Sequence, residues 1–130
     1  MKYLLDTNAV IGLLKGSSKL IPRIRNNMPL DFVISAVVAH ELFFGAYKSE
    51  RRAQNLARVE ALRFEVLDFD KEDARQAGEI RAVLAKAGML IGPYDVLIAG
   101  QAKARDLTLI THNVAEFSRV EGLRIEDWEL

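Results

Sequence analysis

The sequence predicts an α/β domain built on a mostly parallel central sheet of four to five strands, and three observations predict it. Short apolar runs alternate with longer helix-periodic segments. The breaks between segments carry turn-forming residues such as Thr7-Asn8, Gly16-Ser17-Ser18 and Gly88. Half of the 130 residues are hydrophobic and 28% are charged, the balance of a globular chain with one sizeable core. No linker, low-complexity tract or internal repeat interrupts the pattern, so residues 1–130 are expected to form a single domain.

The elements follow in order. KYLLD, Lys2–Asp6, reads as a short buried strand. A helix runs from Thr7 to about Lys15, and a shorter one covers Ser18–Asn27 with Pro22 near its start. DFVIS, Asp31–Ser35, is the second strand, followed by helices over Val37–Tyr47 and Glu50–Leu62. FEVLDF, Phe64–Phe69, is the third strand. The long helix Lys71–Ala87 ends at Gly88, the usual residue just past a helix. After Ile-Gly-Pro, a helix spans Tyr94–Arg105, LTLIT (Leu107–Thr111) is the fourth strand and LRIED (Leu123–Asp127) the fifth. Ligands of such sheets bind beyond the carboxyl ends of the strands, where Asp6 sits.

Composition narrows the functional classes. Lysine plus arginine and aspartate plus glutamate both total 18, so the formal net charge is zero. That weighs against a protein whose whole surface binds nucleic acid, yet it allows a basic face beside an acidic pocket. The absence of cysteine excludes disulfides and thiolate metal sites and points to the reducing cytoplasm. No run reaches the roughly 18 apolar residues of a membrane span, and the N-terminus lacks a signal-peptide pattern. A soluble cytoplasmic protein without membrane association is expected.

Three carboxylates stand alone in apolar surroundings. Asp6 is the only charged residue of Tyr3–Leu14, Glu41 of Phe32–Tyr47, and Asp95 of Met89–Ala102. The helix bearing Glu41 is apolar around its whole circumference, which marks burial in a core or an interface. Each acid taken alone reads most simply as a buried ion pair or a helix cap, and Asp95 is well placed to cap its helix. Three together at converging strand ends read differently. Pairs at ~5 Å would repel by roughly 3 kcal/mol at an effective dielectric near 20, so three pairs approach the stability of a whole domain. A cation must sit among them, and oxygen ligands without cysteine suit Mg²⁺ or Mn²⁺ better than zinc.

The fourth strand ends in THNVAEF, which puts Asn113 at the same rim with a carbonyl oxygen or an amide donor to offer, or simply as a turn former. Glu116 is a further acid that nothing local isolates. His40 and His112, beside Glu41 and Asn113, read as packing or surface residues. Arg51, Arg52, Arg58 and Arg63 cluster along one helix and Lys15, Lys19, Arg23 and Arg25 near another. Singly they read as solvated helix faces; as sets flanking an acidic pocket they could hold phosphates.

The ordered set DTN, HELFFGA, IGPYDVLIAGQA, THNVAEF and GLRIEDW resembles the PIN-domain proteins, and more narrowly the VapC-type toxins of bacterial toxin–antitoxin pairs, over nearly the whole chain. The resemblance implies a PIN-like α/β/α sandwich and a Mg²⁺-dependent endoribonuclease that hydrolyses RNA, tRNA being a typical substrate. It places the acidic site at Asp6, Glu41 and Asp95, with Asp6 and Asp95 as metal ligands and Thr7 and Asn8 supporting the first acid. The fourth acidic position of the family is often aspartate and here is Asn113, which puts a second metal in doubt. The resemblance also implies a homodimer, in a higher-order complex with a small VapB-like antitoxin. An apolar groove is expected for that partner along Val37–Tyr47 and Glu50–Leu62, with Phe43, Phe44 and Tyr47 needing cover.

Other classes lack their residues. A haloacid-dehalogenase-type phosphatase needs a second aspartate two positions after the first, where Asn8 stands, and a receiver domain needs paired acids and a lysine near the last strand. Dinucleotide, P-loop and nucleophile-elbow motifs are absent. The alternative that remains is a catalytically inactive PIN-like binding module.

Overall fold

The computed structural model describes residues 1–130. Five strands, β1 (Tyr3–Leu5), β2 (Phe32–Ser35), β3 (Glu65–Leu67), β4 (Thr108–Ile110) and β5 (Ile125–Glu126), form one sheet in the order β3-β2-β1-β4-β5. Every pairing is parallel, so all five carboxyl ends share one rim. Tyr3 lies opposite both Phe32 and Thr108, which centres β1 in the sheet. The three central strands are buried on both faces, with Leu4, Leu5, Val33 and Leu109 fully buried.

Seven helices connect and cover the strands: α1 (Thr7–Leu14), α2 (Leu20–Arg25), α3 (Ala36–Lys48), α4 (Arg52–Glu60), α5 (Lys71–Lys86), α6 (Pro93–Ala104) and α7 (Val114–Phe117). The Ser35 side chain accepts from the Val37 amide at 3.0 Å and starts α3 immediately after β2. Asp70 and Asp73 cap the start of α5 reciprocally. Helices α5 and α6 approach closely because Gly100 has no side chain: a Cβ there would meet Ala77 at 2.6 Å.

Differences from the sequence reading are at boundaries. Residues 49–51 turn, so α4 starts at Arg52 rather than Glu50 and ends at Glu60 rather than Leu62. Helix α2 is confined to Leu20–Arg25 because the Ser17 hydroxyl caps the Leu20 amide and Asn26 ends the turn. Pro93, with no N–H to lose, occupies the first turn of α6. The third and fifth strands are shorter than Phe64–Phe69 and Leu123–Asp127, being edge strands with one neighbour each.

Candidate active site

The rim begins at Asp6, where β1 hands over to α1. Asp6 is the N-cap of α1, accepting from the Ala9 amide at 2.8 Å, and only 4% of it is exposed. Capping therefore accounts for part of its position, as the simplest reading allowed. It does not account for its ionisation. Burial pushes the Asp6 carboxyl up, Thr111 and the Ala9 amide oppose that with hydrogen bonds, and Glu129 and Glu41 add to the rise.

Glu41, on α3, is half-buried rather than sealed in an apolar helix. Its Oε1 accepts from the Thr7 hydroxyl at 2.9 Å. This corrects the expectation for Thr7, which supports the second acid and not the first. Asp6 is held instead by the Ala9 amide, and Thr111, just past β4, helps to keep its carboxyl from rising further. Asn8 is exposed, and its side chain makes no hydrogen bond to either acid, because it points out of the first turn of α1.

Asp95 lies in the first turn of α6, but Gly92 is the N-cap and no side chain caps that helix. The capping account of Asp95 therefore fails. Its carboxyl is pushed up to about 6, by burial first, then by Glu116 through charge and a hydrogen bond, then by Glu41 and Asp6. The three isolated carboxylates thus converge on one site, and Glu116 joins them. The Asn113 amide Nδ2 donates to Glu116 Oε2. Asn113 thus positions an acid at the rim, and the fourth negative charge comes three residues later, from α7. The sequence signal was THNVAEF itself, since one helical turn separates the two side chains.

No lysine or arginine forms an ion pair with Asp6, Glu41, Asp95 or Glu116. The four carboxylates offer only oxygen donors and have no resident counter-charge, the donor type that a hard divalent cation takes, although no three of them bring their oxygens within 4.8 Å of one another. Beside Asp6, a second group gathers His112, Asp127 and Glu129, whose ligand atoms lie within 4.8 Å of one another. His112 is exposed, as the sequence suggested, and its Nδ1 stands 3.0 Å from Asp127 Oδ2.

Other acids and bases sort differently. Asp73 is fully buried but ion-paired to Arg105 Nη2 at 3.1 Å. Of the basic residues, the Arg58 guanidinium donates to the Leu14 carbonyl, Lys19 to the Glu129 carbonyl at 3.1 Å, and Arg23 lies over the Trp128 ring at 4.8 Å. Lys15 and Arg58 line a cavity of about 290 Å³ between α1, α3 and α4, with Glu41 at its edge. The floor of that groove is Leu42 and Ala46, not the three aromatics expected there. Helical phase explains the difference: Val38, Leu42 and Ala46 face inward, which leaves Phe43 half-buried and Phe44 and Tyr47 60% and 56% exposed on the far side.

The PIN domain family model matches residues 3–123. The chain is 44% identical over 130 residues to the tRNA(fMet)-specific endonuclease VapC of Salmonella typhimurium, covering 98% of each. It is 38% identical over 131 residues to ribonuclease VapC2 of Haemophilus influenzae, again covering 98% of each. Among solved structures, DNA-bound VapBC of Salmonella typhimurium superposes with a TM-score of 0.94 at 44% identity, covering 98% of both chains. VapBC2 of Rickettsia felis, bound to a promoter DNA fragment, gives 0.90 at 33% identity, covering 98% of this chain and 99% of that one.

Proposed function

The chain belongs to the PIN-domain family, and from that membership we propose that it is an endoribonuclease toxin of the VapC type, restrained by an antitoxin. Relatives of this length and identity are named as ribonucleases, one of them as specific for a tRNA, and structural neighbours are toxin–antitoxin complexes. The observation that carries the reading is the uncompensated carboxylate cluster of Asp6, Glu41, Asp95 and Glu116 at the strand-end rim. RNA is the substrate, with tRNA the first candidate.

The donor set fits Mg²⁺, with Mn²⁺ as a substitute; Asp6 and Asp95 would hold the ion, with Glu41 and Glu116 beside it. When bound, such an ion supplies positive charge to a phosphoryl transition state and makes water more acidic. The side chains do the rest. Thr7 fixes the Glu41 carboxylate, which is then oriented to hold a water and accept its proton. Asn113 fixes Glu116 in the same way. Lys15 and Arg58, beside Glu41, stand where they can meet backbone phosphates and position the chain for in-line attack.

The decisive measurement is cleavage of bulk tRNA by the purified protein. Cleavage is expected with Mg²⁺, lost in EDTA and restored by Mg²⁺ or Mn²⁺. Asp6→Asn should lower it by at least about 10³-fold, some 4 kcal/mol of barrier, with the fold intact. Full activity in EDTA would remove the metal from this account. Absence of any cleavage would leave the inactive binding module.

The antitoxin is expected to lay an apolar segment along α3 and α4 and to bring an arginine or lysine among Asp6, Glu41 and Asp95, where a guanidinium can fork onto two carboxylates. A second copy of the chain would share the exposed aromatic face of α3, forming a homodimer. Phe44→Asp, co-expressed with the product of the adjacent gene, should lose the dimeric form of the complex on size-exclusion chromatography. A complex that stays dimeric after this change places the interface elsewhere.

A further inference from the structure

Two exposed rings flank the acids without a role in the chemistry described above. His40 immediately precedes Glu41 on α3, and Tyr94 immediately precedes Asp95 on α6. The two helices bring these rings together edge to face, with centroids 4.9 Å apart and planes at 62°. His40 Nδ1 lies 3.0 Å from the Val37 carbonyl and donates to it, which fixes the ring and leaves its Nε2 edge free for another partner. Tyr94 is 48% exposed, and its hydroxyl makes no hydrogen bond within the chain.

Tyr94 also forms one wall of a cleft of about 630 Å³ between α5 and α6. Arg81 is the only charged residue of its lining, and it has no ion-pair partner. An exposed histidine–tyrosine pair serves packing poorly, since each ring keeps a polar edge in water. It serves a nucleobase well: every base has a face that stacks on an aromatic ring and an edge that takes hydrogen bonds.

We propose that the Tyr94–His40 pair is the stacking ledge for a nucleobase next to the scissile phosphate, so that the enzyme engages its RNA at an unstacked, single-stranded nucleotide. This rests on the nuclease reading and deepens it. Each ring is one residue from a carboxylate of the site, on the same helices that carry Glu41 and Asp95, which sets the ledge at the border of the acidic cluster. His40 Nε2 then faces the base edge, and Arg81 meets a phosphate farther along the strand. Duplex RNA, whose bases are stacked on one another, has no free face to offer the ledge.

The test compares steady-state cleavage of bulk tRNA in Mg²⁺ by the wild-type protein and by Tyr94→Ala, Tyr94→Phe and Tyr94→Trp. Stacking of about 1–3 kcal/mol per base corresponds to a roughly 5- to 150-fold effect. Tyr94→Ala should raise KM at least about 5-fold with kcat little changed, while Tyr94→Phe and Tyr94→Trp stay within about twofold of wild type. The indole of Tyr94→Trp should also be quenched on adding a single-stranded RNA oligonucleotide and not on adding the same sequence as a duplex. The one natural tryptophan, Trp128, is buried and 4% exposed, so it does not mask that signal. A KM for Tyr94→Ala within twofold of wild type overturns the ledge while wild-type cleavage keeps the nuclease reading. A change confined to antitoxin binding or to the mass of the oligomer assigns the ring to a protein interface and also overturns it. Failure of the wild-type protein to cleave any RNA is the separate failure of the nuclease reading.

Discussion

Asp73 and Asp6 are both almost wholly removed from water, at 0% and 4% exposure, and the protein treats them in opposite ways. Asp73 accepts from Arg105 Nε at 3.2 Å and Nη2 at 3.1 Å, from Gln101 Nε2 at 2.9 Å, and takes part in the cap of α5. Burial pushes its carboxyl up, but Arg105, the Asp70 backbone and Gln101 outweigh that and hold it below the usual range. At Asp6 burial wins, and the neighbouring charges, Glu129 and Glu41, are of the same sign. The difference teaches that burial of an acid does not identify a site. An acid left without a counter-charge does, because folding alone gives no reason to keep it.

Removing the counter-charge of Asp73 is the costliest change. Arg105→Ala leaves a fully buried carboxylate with Gln101 and backbone donors only. A broken buried pair costs about 3–5 kcal/mol, and partial exposure of Arg105 puts this one near the lower end, ~3 kcal/mol. For a chain of this size that is a fall in Tm on the order of 10 °C. Calorimetry checks it. A fall of one or two degrees would mean that Gln101 and the helix start suffice, and that Asp73 and Asp6 differ less than their partners suggest.

This contrast also marks what was legible in sequence. Asp6, Glu41 and Asp95 stood out because no base lies near them in apolar windows, and the structure brings them together. Asp73 sits in KEDARQ, where charges crowd, and nothing in that stretch says that one of them points inward to an arginine on another helix. Glu116 was missed as a member of the cluster for the same reason: it lies in an ordinary polar turn, and only the start of α7 aims it at Asp95. The parallel sheet followed from strand–helix alternation. Its edge strands and the ends of α2 and α4 were misplaced because single hydrogen bonds and turns, not periodicity, set those limits.

A milder test sharpens the acidic side. The Asp95 carboxyl is pushed up to about 6, by burial and then by Glu116, Glu41 and Asp6. A carboxyl raised above its ordinary value binds a proton more readily in the folded chain. Without divalent ions, stability is therefore highest below about pH 4 as far as this group is concerned, and falls as pH rises from about 4 to 6. The full gap would be worth roughly 3 kcal/mol, and solvent access to a half-buried group reduces it to on the order of 1 kcal/mol. In EDTA at pH 7.5, Asp95→Asn should melt a few degrees above wild type, and the difference should vanish below about pH 4. An Asp95→Asn protein that melts lower at pH 7.5 would show the acid to be a structural partner, as Asp73 is.

The smallest effect concerns orientation within the cluster. Thr7 donates to Glu41 Oε1 at 2.9 Å, and this is the one side-chain donor that holds that carboxylate. Thr7→Val keeps the shape and the branching while removing the hydroxyl. The net value of such a bond is about 1 kcal/mol, and because Glu41 is half-exposed, water takes the vacated position in the unreacted protein. Stability should therefore change by less than ~0.5 kcal/mol. Cleavage depends on the direction of the carboxylate and not merely on its solvation, so kcat should fall about 5- to 10-fold with KM steady. Thr7→Ser, which restores the donor on the same atom, should recover most of that loss. If Thr7→Ser is as slow as Thr7→Val, the methyl group and not the hydroxyl matters, and the bond to Glu41 is incidental packing like the cap at Asp6.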